Sequence, residues 1–235
     1  MEDHMSQLRV MLRNQHFVVV DKPPLWLSVP SRMGKADPRP IAGIAVQDIF
    51  KQTVFPVHRL DEPVSGLLMF ALTPAAQRAA NQWFENHTVE KTYSALTLCP
   101  IPAQKFPGVW QTWTCKLAKG KKRAFIAPHG KDSITEASYQ GLTPDGQHKW
   151  HLKPVTGRSH QLRFEMARHE MPIDGDALYG SAHPPWQGEG IDLRCFRLDF
   201  SRCGNHHEFG LPVSMTIEEQ YSTTLGWAKP GMSPM

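Results

Sequence analysis

The eight residues Val64-Ser65-Gly66-Leu67-Leu68-Met69-Phe70-Ala71 constrain the fold more than any other stretch of the chain. They carry no charge, follow Pro63 and give way to Thr73-Pro74, the pattern of a buried strand. Directly upstream stands Val57-His58-Arg59-Leu60-Asp61-Glu62, so a basic pair and a carboxylate are held at the mouth of that strand. A loop anchored to a rigid sheet fixes such a carboxylate while leaving it open to substrate. A charged surface turn ahead of a core strand would use the same residue types.

Around this strand the chain reads as short strands with a few helices. His16 to Pro24 is a β-branched run stopped by two prolines, hence a strand ending in a rigid turn. Residues 30–42 are rich in Pro, Gly, Arg and Lys and read as a mobile surface loop. Ile44 to Phe50 is a short helix. Thr73-Pro74 supplies an N-cap and first position for a helix over 75–86, whose Ala76, Ala80, Trp83 and Phe84 share one side. Glu90 to Leu98 alternates as a strand, with Lys91, Tyr93, Ala95 and Thr97 on one face. Residues 100–129 look irregular, although a hairpin with a solvated tip fits them as well. Their Trp110, Trp113 and the Lys119-Gly120-Lys121-Lys122-Arg123 run suit stacked bases and phosphates. Ile134 to Leu142 and Gln147 to Val155 pair across Thr143-Pro144-Asp145-Gly146. A helix starting near Ser159 carries Arg163, and Leu193 to Phe200 and Pro212 to Glu218 close as strands. Residues 1–15 read as a loose lead-in, 16–228 as a single domain without repeats, and 229–235 as a disordered tail.

Composition enters where it excludes. No apolar run approaches the roughly 18 to 20 residues of a membrane span, and the acidic start Met1-Glu2-Asp3-His4 is not a secretory leader. A cytoplasmic protein is therefore expected. Cys99, Cys115, Cys195 and Cys203 form no C-x-x-C pair, and the 12 histidines include no pair at metal-ligand spacing, so neither disulfide nor metal is expected. The net charge of +4 permits a polyanionic partner, and the bases cluster at 116–123 and at Arg158, His160, Arg163, Arg168 and His169.

Four blocks in order resemble a known family. These are Lys22-Pro23 with Ser28-Val29; His58-Arg59-Leu60-Asp61 with Ser65-Gly66-Leu67-Leu68; Lys91-Thr92-Tyr93; and Thr156-Gly157-Arg158-Ser159-His160-Gln161-Leu162-Arg163 followed by Pro172-Ile173-Asp174-Gly175-Asp176-Ala177-Leu178-Tyr179-Gly180. Together they resemble the pseudouridine synthases that modify uridines in ribosomal and transfer RNA, over roughly residues 16–218. The resemblance implies an α+β fold: a curved, mainly antiparallel mixed sheet with flanking helices and a central active-site cleft. It implies isomerisation of a flipped uridine without cofactor, by a monomer whose partner is RNA. Asp61 would attack C1′ or remove a sugar proton, Tyr93 would stack on the base or also take part in removing the C5 proton, and Arg163 would keep Asp61 ionised. Arg59, His58, Lys91, Arg158, His160, Lys121, Lys122 and Arg123 would face RNA, and Lys22 either faces RNA or is structural. Relatives carry a basic residue after the aspartate and a Thr before the Ser, where this chain has Glu62, Pro63 and Val64. Glu165 and Glu170-Met171 replace a His and a Gly-His in the last helix. Two other readings fit the same residues: an RNA-binding or ribosome-assembly protein without useful turnover, and a hydrolase using Asp61 and His58.

Overall fold

The computed structural model describes residues 8–99, 108–185 and 189–219. Among them run β1 (Arg9–Arg13), β2 (Phe17–Lys22), α1 (Ala42–Phe50), β3 (Phe55–Pro56), β4 (Ser65–Ala71), α2 (Pro74–Glu85), β5 (Glu90–Thr97), β6 (Trp110–Lys119), β7 (Ala124–Ile126), β8 (Lys131–Leu142), β9 (His148–Pro154), α3 (Gln161–Arg168), β10 (Leu193–Asp199) and β11 (Ser214–Thr216). The strands join one open sheet in the order β1-β2-β4-β10-β5-β9-β8-β6-β7, with β11 on β10 and β3 on β4. The fold is α+β. The β4–β10 pairing is parallel and the other pairings between these strands are antiparallel.

The uncharged run becomes the centre of this sheet. All seven residues of β4 and all six of β2 are buried, because helices and loops cover both faces there. One edge of β4 lies along β2; the other is shared by β10, at Ser65 and Gly66, and by β3, at Phe70 and Ala71. The β10 contact depends on Gly66. Its φ of +113° is outside what L side chains adopt, and a Cβ there would lie 2.2 Å from the Cys195 carbonyl oxygen. At the far end of β4, the Thr73 side chain accepts the Ala76 amide and Pro74 starts α2, which buries Ala76, Ala80 and Trp83. All four cysteines are free thiols.

Two expectations change, and a third resolves to the hairpin that was one of its two alternatives. Residues 9–13 are not a loose lead-in, since β1 pairs with β2 and Arg9 reaches Asp21 and Glu218. The loop over 30–41 is cross-tied: Arg39 donates from Nε and Nη2 to Asp37 at 2.8 and 2.6 Å, and Ser31 donates to the same carboxylate. The described part of 100–129 is a hairpin of β6 and β7. Within β6 only Trp113 and Leu117 are fully buried while Thr112, Thr114 and Lys116 are exposed, so its apolar alternation is too dilute to read. The lead-in before residue 8, residues 100–107 and the tail over 229–235 lie outside the described residues.

Candidate active site

Asp61 sits in the turn that precedes β4, and its neighbours on both sides are fastened to the opening loop of the chain. The Leu60 amide donates to Ser28 Oγ at 3.0 Å, and that hydroxyl donates to the Leu60 carbonyl at 2.8 Å. Lys22, fully buried at the end of β2, donates from Nζ to the carbonyls of Pro23, Trp26 and Glu62 at 2.8, 2.8 and 3.1 Å. It is a structural tie under the aspartate and not an RNA contact. Burial drives its pKa down to about 7, against the opposing charges of Asp61, Glu62 and Asp21. Asp61 itself stays about a third exposed, opening into a cleft of about 790 Å³.

Tyr93 comes to that cleft from β5 and Arg163 from α3, so the three residues singled out as catalytic line one cavity. Arg163 Nη1 is 3.7 Å from Asp61 Oδ2. Its main partner, however, is Asp176: Nε and Nη2 donate to the two carboxylate oxygens at 2.6 and 2.7 Å, both side chains being buried. Burial disfavours the guanidinium charge, but the bonds to Asp176, with Asp61 behind them, outweigh it and raise the pKa. Burial, the Cys195 thiol opposite and the charge of Asp61 raise Tyr93 well above the ordinary phenol value, so it is a neutral ring.

The loop before α3 is shaped by Gln161. Its side-chain oxygen accepts from Thr156 Oγ1 and the Arg158 amide at 2.8 and 3.0 Å, and its Nε2 donates to Ile134 O and Thr135 Oγ1. This fastening holds His160 at φ 56°, a left-handed conformation that a non-glycine residue adopts only under constraint. The His160 Nε2 lies 3.9 Å from Asp61 Oδ2 and its Nδ1 is 3.0 Å from the Tyr179 hydroxyl.

The expected RNA contacts divide. Arg59 is exposed at the cleft wall and makes no hydrogen bond or ion pair among the described residues, while Arg158 lines the cleft and donates to the Asp132 carbonyl. His58 faces inward instead: its Nε2 accepts the Met69 amide at 3.0 Å and its ring stacks on Phe84 at 4.7 Å. Burial, with Lys91 nearby, drives its pKa down to about 3, so it is neither cation nor the base of a hydrolytic pair. Lys91 is half-buried, its pKa lowered chiefly by burial, with Nζ 5.8 Å from the Phe84 ring centre. Lys121, Lys122 and Arg123 are exposed on the β6–β7 turn and do not line the cleft, whereas Lys119 at its base does. Glu62 is paired with Arg39 at 2.5 Å. The aromatic pair separates too: Trp113 is buried against Trp150 and His169, and Trp110 is exposed under Lys153.

Sequence reading left Asp176, Tyr179, Lys153 and Arg202 without roles. Asp176 and Tyr179 lay inside a quoted block, where an acid downstream of a buried arginine was the available signal; Lys153 and Arg202 carried none. Bases outnumber acids along the cleft, with Arg59, Lys91, Lys119, Lys153, Arg158, Arg163 and Arg202 against Asp61, Glu85, Glu90 and Glu136. That excess suits a polyanion. Among the described residues no three His, Cys, Asp or Glu side chains are grouped to hold a metal ion, and no helix is long and apolar enough to cross a membrane.

The profile of the RNA pseudouridylate synthase family matches residues 16–168. The chain is 33% identical over 212 residues to the dual-specificity RNA pseudouridine synthase RluA of Yersinia pestis, covering 90% of this chain and 99% of that one. It is 31% identical over 242 residues to tRNA pseudouridine synthase C of the same organism, covering 95% and 88%. In fold it is similar to the human RNA pseudouridylate synthase domain containing 1, with a TM-score of 0.71 at 22% identity over 95% of this chain and 88% of that one. Profile, relatives and fold agree, and the chain belongs to the RNA pseudouridylate synthase family as an enzyme of that class.

Proposed function

We propose that this enzyme isomerises a uridine of a structured ribosomal or transfer RNA, with Asp61, Tyr93 and Arg163 as its catalytic residues. It acts as a cytoplasmic monomer with a single catalytic domain. The single observation that carries this reading is a partly exposed Asp61 carboxylate, 3.7 Å from a buried arginine, in a cleft that Tyr93 also lines. The relatives' names support RNA as the substrate class.

The reaction breaks the N1 to C1′ bond, turns the uracil, joins C5 to C1′ and releases the C5 proton to water while the freed N1 takes one up. Asp61 acts on the ribose, at C1′ as nucleophile or on a sugar proton as base. Either role needs the anion, and Arg163 supplies the opposite charge. Tyr93, a neutral phenol, supports the extruded base with its ring. Extrusion from a folded RNA costs a few kcal/mol, and Arg59, exposed and unpaired among the described residues, fills the vacated stack or holds the displaced phosphate. Arg158, Lys119 and the 121–123 turn contact backbone phosphates, which makes binding steeply salt-dependent.

Tritium release from RNA carrying [5-³H]uridine reads the C5 proton directly. Wild type is expected to release it from unmodified ribosomal or transfer transcripts, and Asp61→Ala to bind the same RNA without release. Undiminished release by Asp61→Ala, or RNA binding by wild type with no release from any unmodified cellular RNA, would overturn the proposal.

A further inference from the structure

A hydrogen-bonded chain whose directions can be worked out reaches the cleft at His160, beside the three catalytic residues. The Ala124 amide, at the start of β7, donates to the Tyr179 hydroxyl oxygen at 2.8 Å. That hydroxyl lies 3.0 Å from His160 Nδ1, and His160 Nε2 lies 3.9 Å from Asp61 Oδ2. With the Tyr179 oxygen already accepting from Ala124, its own proton has one hydrogen-bond partner among the described residues, the His160 Nδ1 lone pair. The opposite arrangement, with the proton on Nδ1, would aim the Nε2 lone pair at the Asp61 carboxylate and bring two electron-rich atoms together. Both considerations select the same tautomer.

We propose that His160 is a positioning residue for Asp61, its Nε2–H held toward the carboxylate because Tyr179 fixes the tautomer through Nδ1. The proposal rests on Asp61 being the catalytic group, as argued above. The 3.9 Å separation is too long for a hydrogen bond in the free enzyme; it is an aimed donor that closes on the carboxylate when the extruded nucleotide fills the cleft. A neutral donor aligns the carboxylate and favours its ionised form without adding a second full opposing charge to that of Arg163. The left-handed backbone of His160, locked through Gln161, keeps the ring from swinging away.

The surroundings keep the ring neutral. His160 is faced by Asp61 from the turn before β4, by Arg163 from α3, by Asp176 and Tyr179 from the segment after α3, and by Lys119 from the end of β6. Burial is the largest influence and lowers its pKa; Arg163 and Lys119 push the same way, and Asp61 and Asp176 oppose them. Burial also raises Tyr179, so the phenol keeps the proton it donates.

The test joins a spectrum to a kinetic cycle. Long-range ¹H–¹⁵N imidazole spectra of the full-length protein, with the His160 signals assigned by their loss in His160→Gln, are expected to show neutral His160 protonated on Nε2. In Tyr179→Phe they should show mixed tautomers and a raised pKa. These readouts need no turnover, so they stand even if the isomerase reading fails. In single-turnover tritium release Tyr179→Phe is expected to lose about tenfold at neutral pH, the equivalent of roughly 1.4 kcal/mol, with its acid limb moved to higher pH and RNA affinity unchanged. His160→Leu loses at least as much. His160→Gln, which carries an N–H near the Nε2 position and does not titrate, recovers most of that loss and makes Tyr179→Phe silent. A wild-type spectrum with the proton on Nδ1, or a Tyr179→Phe penalty equally large in the His160→Gln background, would overturn the proposal. Thermal melts of each variant separate misfolding from these effects.

Discussion

Replacing Asp176 by alanine is expected to cost about 3 to 5 kcal/mol of stability, the range for stripping a buried charge of its partner. Arg163 gives Asp176 two short hydrogen bonds, and the two side chains keep 6% and 1% of their exposure. With the carboxylate gone, the nearest anion is Asp61, 3.7 Å from Nη1 and 32% exposed. Water screens that contact, so Asp61 recovers only a fraction of what is lost. In a domain of roughly 150 to 250 residues each kcal/mol moves Tm by about 2 to 4 °C, which sets an expected fall of about 6 to 20 °C in a calorimetric or circular-dichroism melt. Activity should fall further than stability explains, because an arginine released from Asp176 turns onto Asp61 and ties up the carboxylate oxygen that acts on the ribose. The double variant Arg163→Met with Asp176→Leu separates these effects. An apolar pair in place of a buried ion pair is often neutral or stabilising, so this protein is expected to melt near wild type and to release no tritium. A fall of under about 2 °C in Asp176→Ala, or a double variant as unstable as the single, would refute the reasoning.

Three further outcomes follow from the same geometry. Gly66→Ala forces a Cβ to 2.2 Å from the Cys195 carbonyl at a φ of +113° and is expected to cost at least about 3 kcal/mol in urea unfolding, or to leave the protein insoluble. Lys22 has a folded pKa of about 7 against an ordinary 10.5, so between these values the unfolded chain binds the extra proton and stability rises with pH. From pH 7 to about 8.5 its share is about 2 kcal/mol, a slope that chemical unfolding should find in wild type and lose in Lys22→Met. Arg39→Ala uncovers the Glu62 carboxylate beside the RNA path and is expected to weaken RNA binding about threefold at low salt, a modest figure because the pair is a third exposed; Glu62→Gln should restore it, as filter binding would show.

The uncharged run over 64–71, the capping pair Thr73-Pro74 and the alternation in 90–98 each specify a local conformation through short-range rules, and each element formed within one or two residues of its reading. The blocks around Asp61, Tyr93 and Arg163 were legible only through the family resemblance, and the fold brings the three side chains to one cleft. What sequence order does not carry is which charge meets which. Arg163 pairs with Asp176 first and Asp61 second; Lys22 is spent on three carbonyls under the Asp61 turn; His58 spends its Nε2 on a backbone amide; and Glu62 is matched by Arg39 from 23 residues upstream. These pairings depend on where β4, β5 and α3 cross and on how much water the crossing excludes. A side chain's polarity is written at its own position, but its partner and its burial are properties of segments brought together by the sheet, and only the tertiary structure decides them.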